Sequence, residues 1–180
     1  MNVLPHTEKN CEEVFRLEHY FEGYTFAEGV FEDRFGKVRQ RFTVDIEGFV
    51  ENSNLTLDET FKFNDGREET RIWEIKPTGN GTYLGEAADV VGYANGKIIG
   101  NLLQWQYEML LPIGTKRIRV HFNDEIWLLG SGQLLNRARV SKFGILLGIV
   151  TIVFCKPHSS FMSLPAWQHA DTQTAAISRQ

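Results

Sequence analysis

Hydrophobic and polar residues alternate with a period of two along most of this chain. The pattern is clearest over residues 55–63. Leu55, Leu57, Phe61 and Phe63 fall on one side there, and Thr56, Asp58, Thr60 and Lys62 on the other. Successive side chains of an extended strand point to opposite faces, so this spacing predicts a strand with one packed and one wet face. Comparable runs cover 26–32, 37–49, 68–76, 82–91, 97–109, 116–128, 134–143 and 145–156. Turn residues separate them, among them Asp65-Gly66, Gly79-Asn80-Gly81, Asn95-Gly96 and Gly130-Ser131-Gly132. About nine strands joined by short turns form a meander, which escapes exposed edges by curling or closing. The prediction is an all-β, antiparallel up-and-down barrel or half-barrel. A two-sheet sandwich needs long crossovers, and the spacing leaves none. Residues 8–22 form the one predicted helix, with Cys11, Val14, Phe15 and Glu18 on its inner face, covering an open end or edge of the sheet. From Pro157 the chain turns polar and reads as a disordered tail. The predicted division is therefore 1–22, 23–156 and 157–180.

Two hairpins carry the detail. Residues 26–49 turn at Asp33-Arg34-Phe35-Gly36, with Asp first and Gly last. Centred there, Lys37 falls opposite Glu32 and Arg41 opposite Glu28, a register favoured by cross-strand charge pairing. Val38, Phe42, Val44 and Ile46 then pack against Ala27 and Gly29. In the second hairpin, a three-residue loop Asp65-Gly66-Arg67 places Leu57, Phe61, Phe63, Trp73 and Ile75 on one face, with Glu59 and Arg71 among them. A carboxylate and a guanidinium on an apolar face must pair or bind something, because an unpaired buried charge is costly. The plain reading is a structural ion pair. The functional one is that they hold the polar head of a ligand inside the barrel.

Composition narrows the function classes. With 180 residues, 42% hydrophobic and 23% charged, the chain can build one globular core. Thirteen Phe favour strands over helices. The net charge is -4 and basic residues are interspersed with acidic ones, so no nucleic-acid surface is expected. The longest apolar run, 145–155, is too short for a membrane-spanning helix. The first residues show no signal-peptide pattern, so the expected location is cytoplasmic as written. Cys11 and Cys155 read as free thiols, with one disulfide as the other reading. The five histidines have no ligand spacing with one another or with the cysteines, so neither metal nor cofactor is expected.

Further candidates come from single strands. Asn101, Trp105 and Tyr107 share one face of the predicted strand 97–109, as core aromatics or as the lining for a lipid-like ligand. Arg117, Arg119, His121 and Asn123 form an alternating polar stripe. It reads as a solvent face, or as an anion-binding patch continuing to Arg137 and Arg139. Gly29, Gly85, Gly92 and Ala27 suggest open space inside.

An ordered set of short runs gives the chain a family resemblance. They are Gly29-Val-Phe31-Glu-Asp33-Arg34, Leu57-Asp58-Glu59, Arg71-Ile-Trp73, Asp89-Val-Val-Gly92, Trp105-Gln-Tyr107, Asn136-Arg137-Ala138 and Ser141-Lys142-Phe143-Gly144. Together they resemble domain-of-unknown-function family 3833. The resemblance implies a lipocalin-like barrel, membrane-anchored lipoprotein relatives, a lipid-related role and no established activity. The chain departs from the family in lacking an apolar segment before Cys11, in reading Asn123-Asp124-Glu125-Ile126 where the family has Asp-Asp-Trp-Met, and in its tail after Pro157. The expected partner is a small hydrophobic or amphipathic molecule. Glu59, Arg71, Trp73, Asn101, Trp105, Tyr107, His121, Asn136 and Arg137 are the candidate ligand contacts. The alternatives are an enzyme using Glu59 as acid or base, and a filled structural barrel.

Overall fold

The computed structural model describes residues 15–113 and 115–157. A short helix α1 (Leu17–Phe21) precedes ten strands: β1 (Gly23–Asp33), β2 (Val38–Glu51), β3 (Asn54–Phe63), β4 (Glu68–Gly79), β5 (Thr82–Glu86), β6 (Ala94–Ile99), β7 (Leu102–Ile113), β8 (Lys116–Leu128), β9 (Leu134–Lys142) and β10 (Ile145–Cys155). Each strand pairs antiparallel with its sequence neighbour, and β10 returns to β1 from Phe26↔Cys155 to Asp33↔Gly148. The sheet is a closed barrel, and closure leaves no free edge. The predicted disordered tail and most of the predicted helix, including Cys11 and Val14, lie outside the described residues.

Ten strands replace the predicted nine because 97–109 is not one strand. Asn95-Gly96 lies inside β6, and the chain reverses instead at Gly100-Asn101, where Gly100 takes φ 63°. Gly96 is there for space: a Cβ on it would overlap the Trp105 ring from the neighbouring strand. The predicted strand 82–91 also ends early, at Glu86. Residues 87–93 leave the β4 side and ride on β7, through Val91 N–H to Glu108 O (2.8 Å) and Leu110 N–H to Asp89 O (2.9 Å).

The first hairpin does not adopt the charge-paired register. Arg41 lies opposite Val30, Glu28 opposite Thr43 and Glu32 opposite Val38, with Arg39 bulged out of the ladder. The Asp33 carboxylate explains this. It accepts hydrogen bonds from the Phe35 and Lys37 amides and from Arg39 Nε (2.6 Å), so the turn organises around it. The shift is an even number of residues, so Phe42, Val44 and Ile46 still point inward, against Gly29, Ala27 and Thr25. Val38, beyond the bulge, leaves that face. In the second hairpin Gly66 is left-handed (φ 86°) and Phe63 N–H bonds to Arg67 O, so the loop is Asn64-Asp65-Gly66, one residue earlier than predicted. Again the faces survive: Leu57 lies opposite Trp73 and Glu59 opposite Arg71.

Within the described residues α1 begins at Leu17, because Arg16 is extended (φ −138°, ψ 133°). Its inward residues are Leu17 and Phe21, four apart on one side, and with Phe15 they close one end of the barrel. Glu18 faces Tyr83, whose hydroxyl donates to it at 2.9 Å. Gly48 on β2 lets the carbonyl end of α1 lie against the sheet, since any Cβ there would overlap the Phe21 backbone.

Candidate functional site

The inward faces do not meet at the centre. They enclose a cavity of about 700 Å³ reaching from Leu17 and Phe21 at the closed end to Arg39, Arg67 and Pro112 at the other. That size is in the range of small-molecule sites. At the open end, with Pro112 of β7, stand the β1–β2, β3–β4 and β9–β10 turns. Phe35 and Phe143 stand exposed on two of them.

Aromatic rings line the cavity wall. Trp73 meets Trp105 edge-on (5.9 Å between centroids) and Tyr107 nearly perpendicular (5.4 Å), and Tyr107 stacks on Phe122 (4.9 Å). Phe42, Phe61 and Phe63 make a second group nearer the rim. The expected open space at Gly29 and Gly85 is not empty: a Cβ at either would strike Phe42 or Trp105. Gly92 sits at φ 73° in the segment between β5 and β6 and meets nothing. The glycines let rings lie flat against the backbone, and the cavity lies elsewhere.

A polar cluster interrupts the apolar wall. Arg71 on β4 donates through Nε to Asp89 Oδ2 at 3.0 Å, and its Nη1 lies 3.8 Å from Glu59 Oε2 on β3. Its guanidinium also covers the Phe61 ring at 5.1 Å. The predicted Glu59–Arg71 pair is therefore loose, and Asp89 is the closer partner. On the β8–β9 wall, Asn136 Nδ2 donates to Asp124 Oδ2 at 3.1 Å. Burial lifts the Glu59 carboxyl to about 7 against the pull of Arg71, and Asp89 and Asp58 add to the rise. Burial lifts Asp124 to about 7 as well, against its Asn136 hydrogen bond and Arg71. The Tyr107 phenol, close to Asp124, Arg71 and Glu59, is held well above its ordinary value, chiefly by burial. Carboxyls near neutrality in a desolvated cavity can give or take a proton or bind a cation. Among the described residues, no three His, Cys, Asp or Glu side chains stand close enough together to hold a metal ion.

Six of the nine predicted contacts line this cavity: Glu59, Arg71, Trp73, Trp105, Tyr107 and Asn136. Three do not. Asn101 sits in the β6–β7 turn, exposed, with its Nδ2 on Leu128 O at 3.1 Å. It borders a second depression of about 960 Å³, beyond the closed end, whose Tyr83, Thr82 and Asn101 side chains are already hydrogen-bonded. His121 and Arg137 are exposed on the outer face, opposite Glu108 and Glu125, so their stripe faces solvent. Sequence reasoning missed Asp124 and Asp89. Asp124 continues the inward alternation of Val120 and Phe122, a signal present in the sequence. Asp89 lies in the irregular segment 87–93 and has none.

Comparison with solved structures finds the S-type phycobiliprotein lyase of Guillardia theta, with a TM-score of 0.54 at 5% identity over 76% of this chain and 87% of that one. At that identity the likeness is one of fold, a lipocalin-like barrel. Comparison with curated proteins gives no match. The sequence matches the family described as "Protein of unknown function (DUF3833)" over residues 2–156, and the chain belongs to that family.

Proposed function

We propose that this barrel binds a small hydrophobic or amphipathic molecule in its interior. The observation that carries the reading is the cavity of about 700 Å³, walled by Trp73, Trp105, Tyr107 and Phe122 and holding a few convergent polar groups. Sites for small organic ligands have this composition. The ring edges supply non-directional contact, and Glu59, Arg71, Asp124 and Asn136 supply orientation. The solved neighbour of like fold is a phycobiliprotein lyase.

The test is native mass spectrometry of protein purified from its own host, followed by organic extraction. A stoichiometric apolar adduct, lost in Trp73→Ala/Trp105→Ala, is the expected result. A clean apo mass that also ignores an added panel of apolar molecules would refute the reading.

One observation favours a second reading, an enzyme acting on the bound molecule: a cavity carboxyl, Glu59, poised near neutral pH. A Glu59→Gln variant that keeps ligand but turns nothing over would be its signature.

A further inference from the structure

The polar part of the cavity is short of donors. Asp124 and Asn136 are 5% and 4% exposed, and both line the cavity. One hydrogen bond joins them, and the remaining oxygen of each, Asp124 Oδ1 and Asn136 Oδ1, is buried with no partner. Asp89 Oδ1 is a third orphan, beside Arg71 and outside the cavity lining, and above about pH 7, where Asp124 is ionised, all three are acceptors. An unsatisfied buried acceptor is costly, so each is a standing demand for a donor. The charge count agrees. Deep in the cavity Glu59 and Asp124 share one guanidinium, Arg71, which is already committed to Asp89 behind it. The other two lining arginines, Arg39 and Arg67, stand at the open end and are paired with Asp33 and with Asp65 and Glu69.

We propose that the polar end of the bound molecule is a hydrogen-bond donor, with an aliphatic ammonium the best match, and that the cavity rejects fatty-acid carboxylates. This rests on the reading that the interior binds an amphipathic molecule, and it names the head group. An ammonium has three donors and no acceptor, so it answers Asp124 Oδ1 and Asn136 Oδ1 and offsets the surplus negative charge. A carboxylate offers acceptors alone. It would meet the same orphans unsatisfied and add a charge to a group already in excess.

The preference depends on ionisation. The groups acting on Asp124 are Asn136 from β9, Tyr107 from β7 and Arg71 from β4, and Glu59 from β3 and Asp89 from the 87–93 segment act on Arg71 and Tyr107 in turn. With Glu59 and Asp124 held near 7 by burial, the cavity is more negative at pH 8 than at pH 6. The preference for the amine therefore widens as pH rises.

Calorimetric titration with dodecylamine, dodecanol and dodecanoate, each below its micelle concentration at pH 6 and 8, tests this. The expected result at pH 8 is amine tighter than carboxylate by about tenfold or more, the worth of one charge-assisted hydrogen bond. The ratio should shrink at pH 6 and in Asp124→Asn. Dodecanoate binding as tightly as dodecylamine overturns the head-group inference and leaves the binding reading standing, and so does dodecanol binding alone. A wild-type ratio unchanged in Asp124→Asn overturns the assignment to Asp124, and points to its proton closing an acid–amide pair with Asn136. No binding by any of the three overturns both readings.

Discussion

Gly85→Ala puts the interlock between wall and backbone to a quantitative test. A Cβ on Gly85 would stand 2.5 Å from Trp105 Cζ2, 2.8 Å from Cη2 and 3.4 Å from Trp73 Cε3. Ordinary contact begins near 3.4 Å, so the Trp105 ring must retreat by 3.4 − 2.5, about 0.9 Å. Gly96 bounds the same ring across β6, and Trp73 meets it edge-on, so retreat means repacking both indoles. Two effects oppose each other. Replacing a strand glycine lowers the entropy of the unfolded chain, worth about 0.5–1 kcal/mol in favour of the variant. Overpacking a rigid ring costs about 1–3 kcal/mol. The clash wins, and a net loss of roughly 1–2 kcal/mol is expected in urea unfolding followed by far-ultraviolet circular dichroism. The decisive control is the same substitution in a Trp105→Leu background, where a flexible side chain can give way and Ala should be neutral or mildly stabilising. A Gly85→Ala protein as stable as the parent refutes the reasoning. An equal loss in both backgrounds refutes it too.

The buried carboxyls set a pH dependence of stability. Glu59 and Asp124 hold protons up to about 7 in the folded state but release them near 4.5 and 3.8 when unfolded. Between those values the native state binds more protons, so stability falls as pH rises from about 4 to 7 and then levels. The shifts correspond to upper bounds of roughly 3 kcal/mol for Glu59 and roughly 4 kcal/mol for Asp124. Urea midpoints of the ligand-free protein should be lower at pH 8 than at pH 5, and Glu59→Gln/Asp124→Asn should flatten the difference; a flat wild-type profile would sink the account. Gly48→Ala should lift α1 from the closed end, because the added methyl meets backbone of Phe21. Hydrogen exchange of residues 17–21 is expected to speed up while β7 and β8 keep their protection; unchanged exchange of α1 counts against its role as a plug. Lys62→Ala should raise the Asp45 carboxyl, now held below its usual range through the 2.8 Å contact with Lys62 and the Tyr24 hydrogen bond. Side-chain NMR titration reads this directly, and an unmoved Asp45 would contradict it.

What could be read from the sequence was what the period of two carries. Parity decides which face a residue takes, and it survives an error of two residues in register or of one in loop placement. Phe42, Val44 and Ile46, and Glu59 with Arg71 and Trp73, were therefore placed inward although neither hairpin has the expected register. Carried two residues past Phe122, the same parity finds Asp124. Glycine was the ambiguous letter. Asp65-Gly66 is a turn and Asn95-Gly96 is not, and the difference lies outside both dipeptides, in a Trp105 ring that needs the room at Gly96. Asn101 was misplaced by that one misreading. Asp89 was out of reach, because its position comes from residues 87–93 leaving the β4 side to follow β7, a tertiary choice with no local signature.

The same packing that hid the turn bears on the choice between a filled and a liganded barrel. Where this chain closes space it does so tightly, with Phe42 over Gly29 and Trp105 over Gly85 and Gly96. A barrel under no demand except stability would carry that economy to its centre, with apolar side chains at positions 59, 71 and 124. Exchanging buried ionic groups for well-packed apolar ones is often neutral or stabilising. Instead, about 700 Å³ stays open beside three carboxylates, one guanidinium and three acceptors with no donor. Two of the carboxylates are held near neutrality by burial that destabilises the ligand-free state as pH rises. Each feature is a cost to the empty protein, and a donor-bearing molecule in the cavity would relieve those at Asp124 and Asn136 together. That coincidence favours an occupant over a filler.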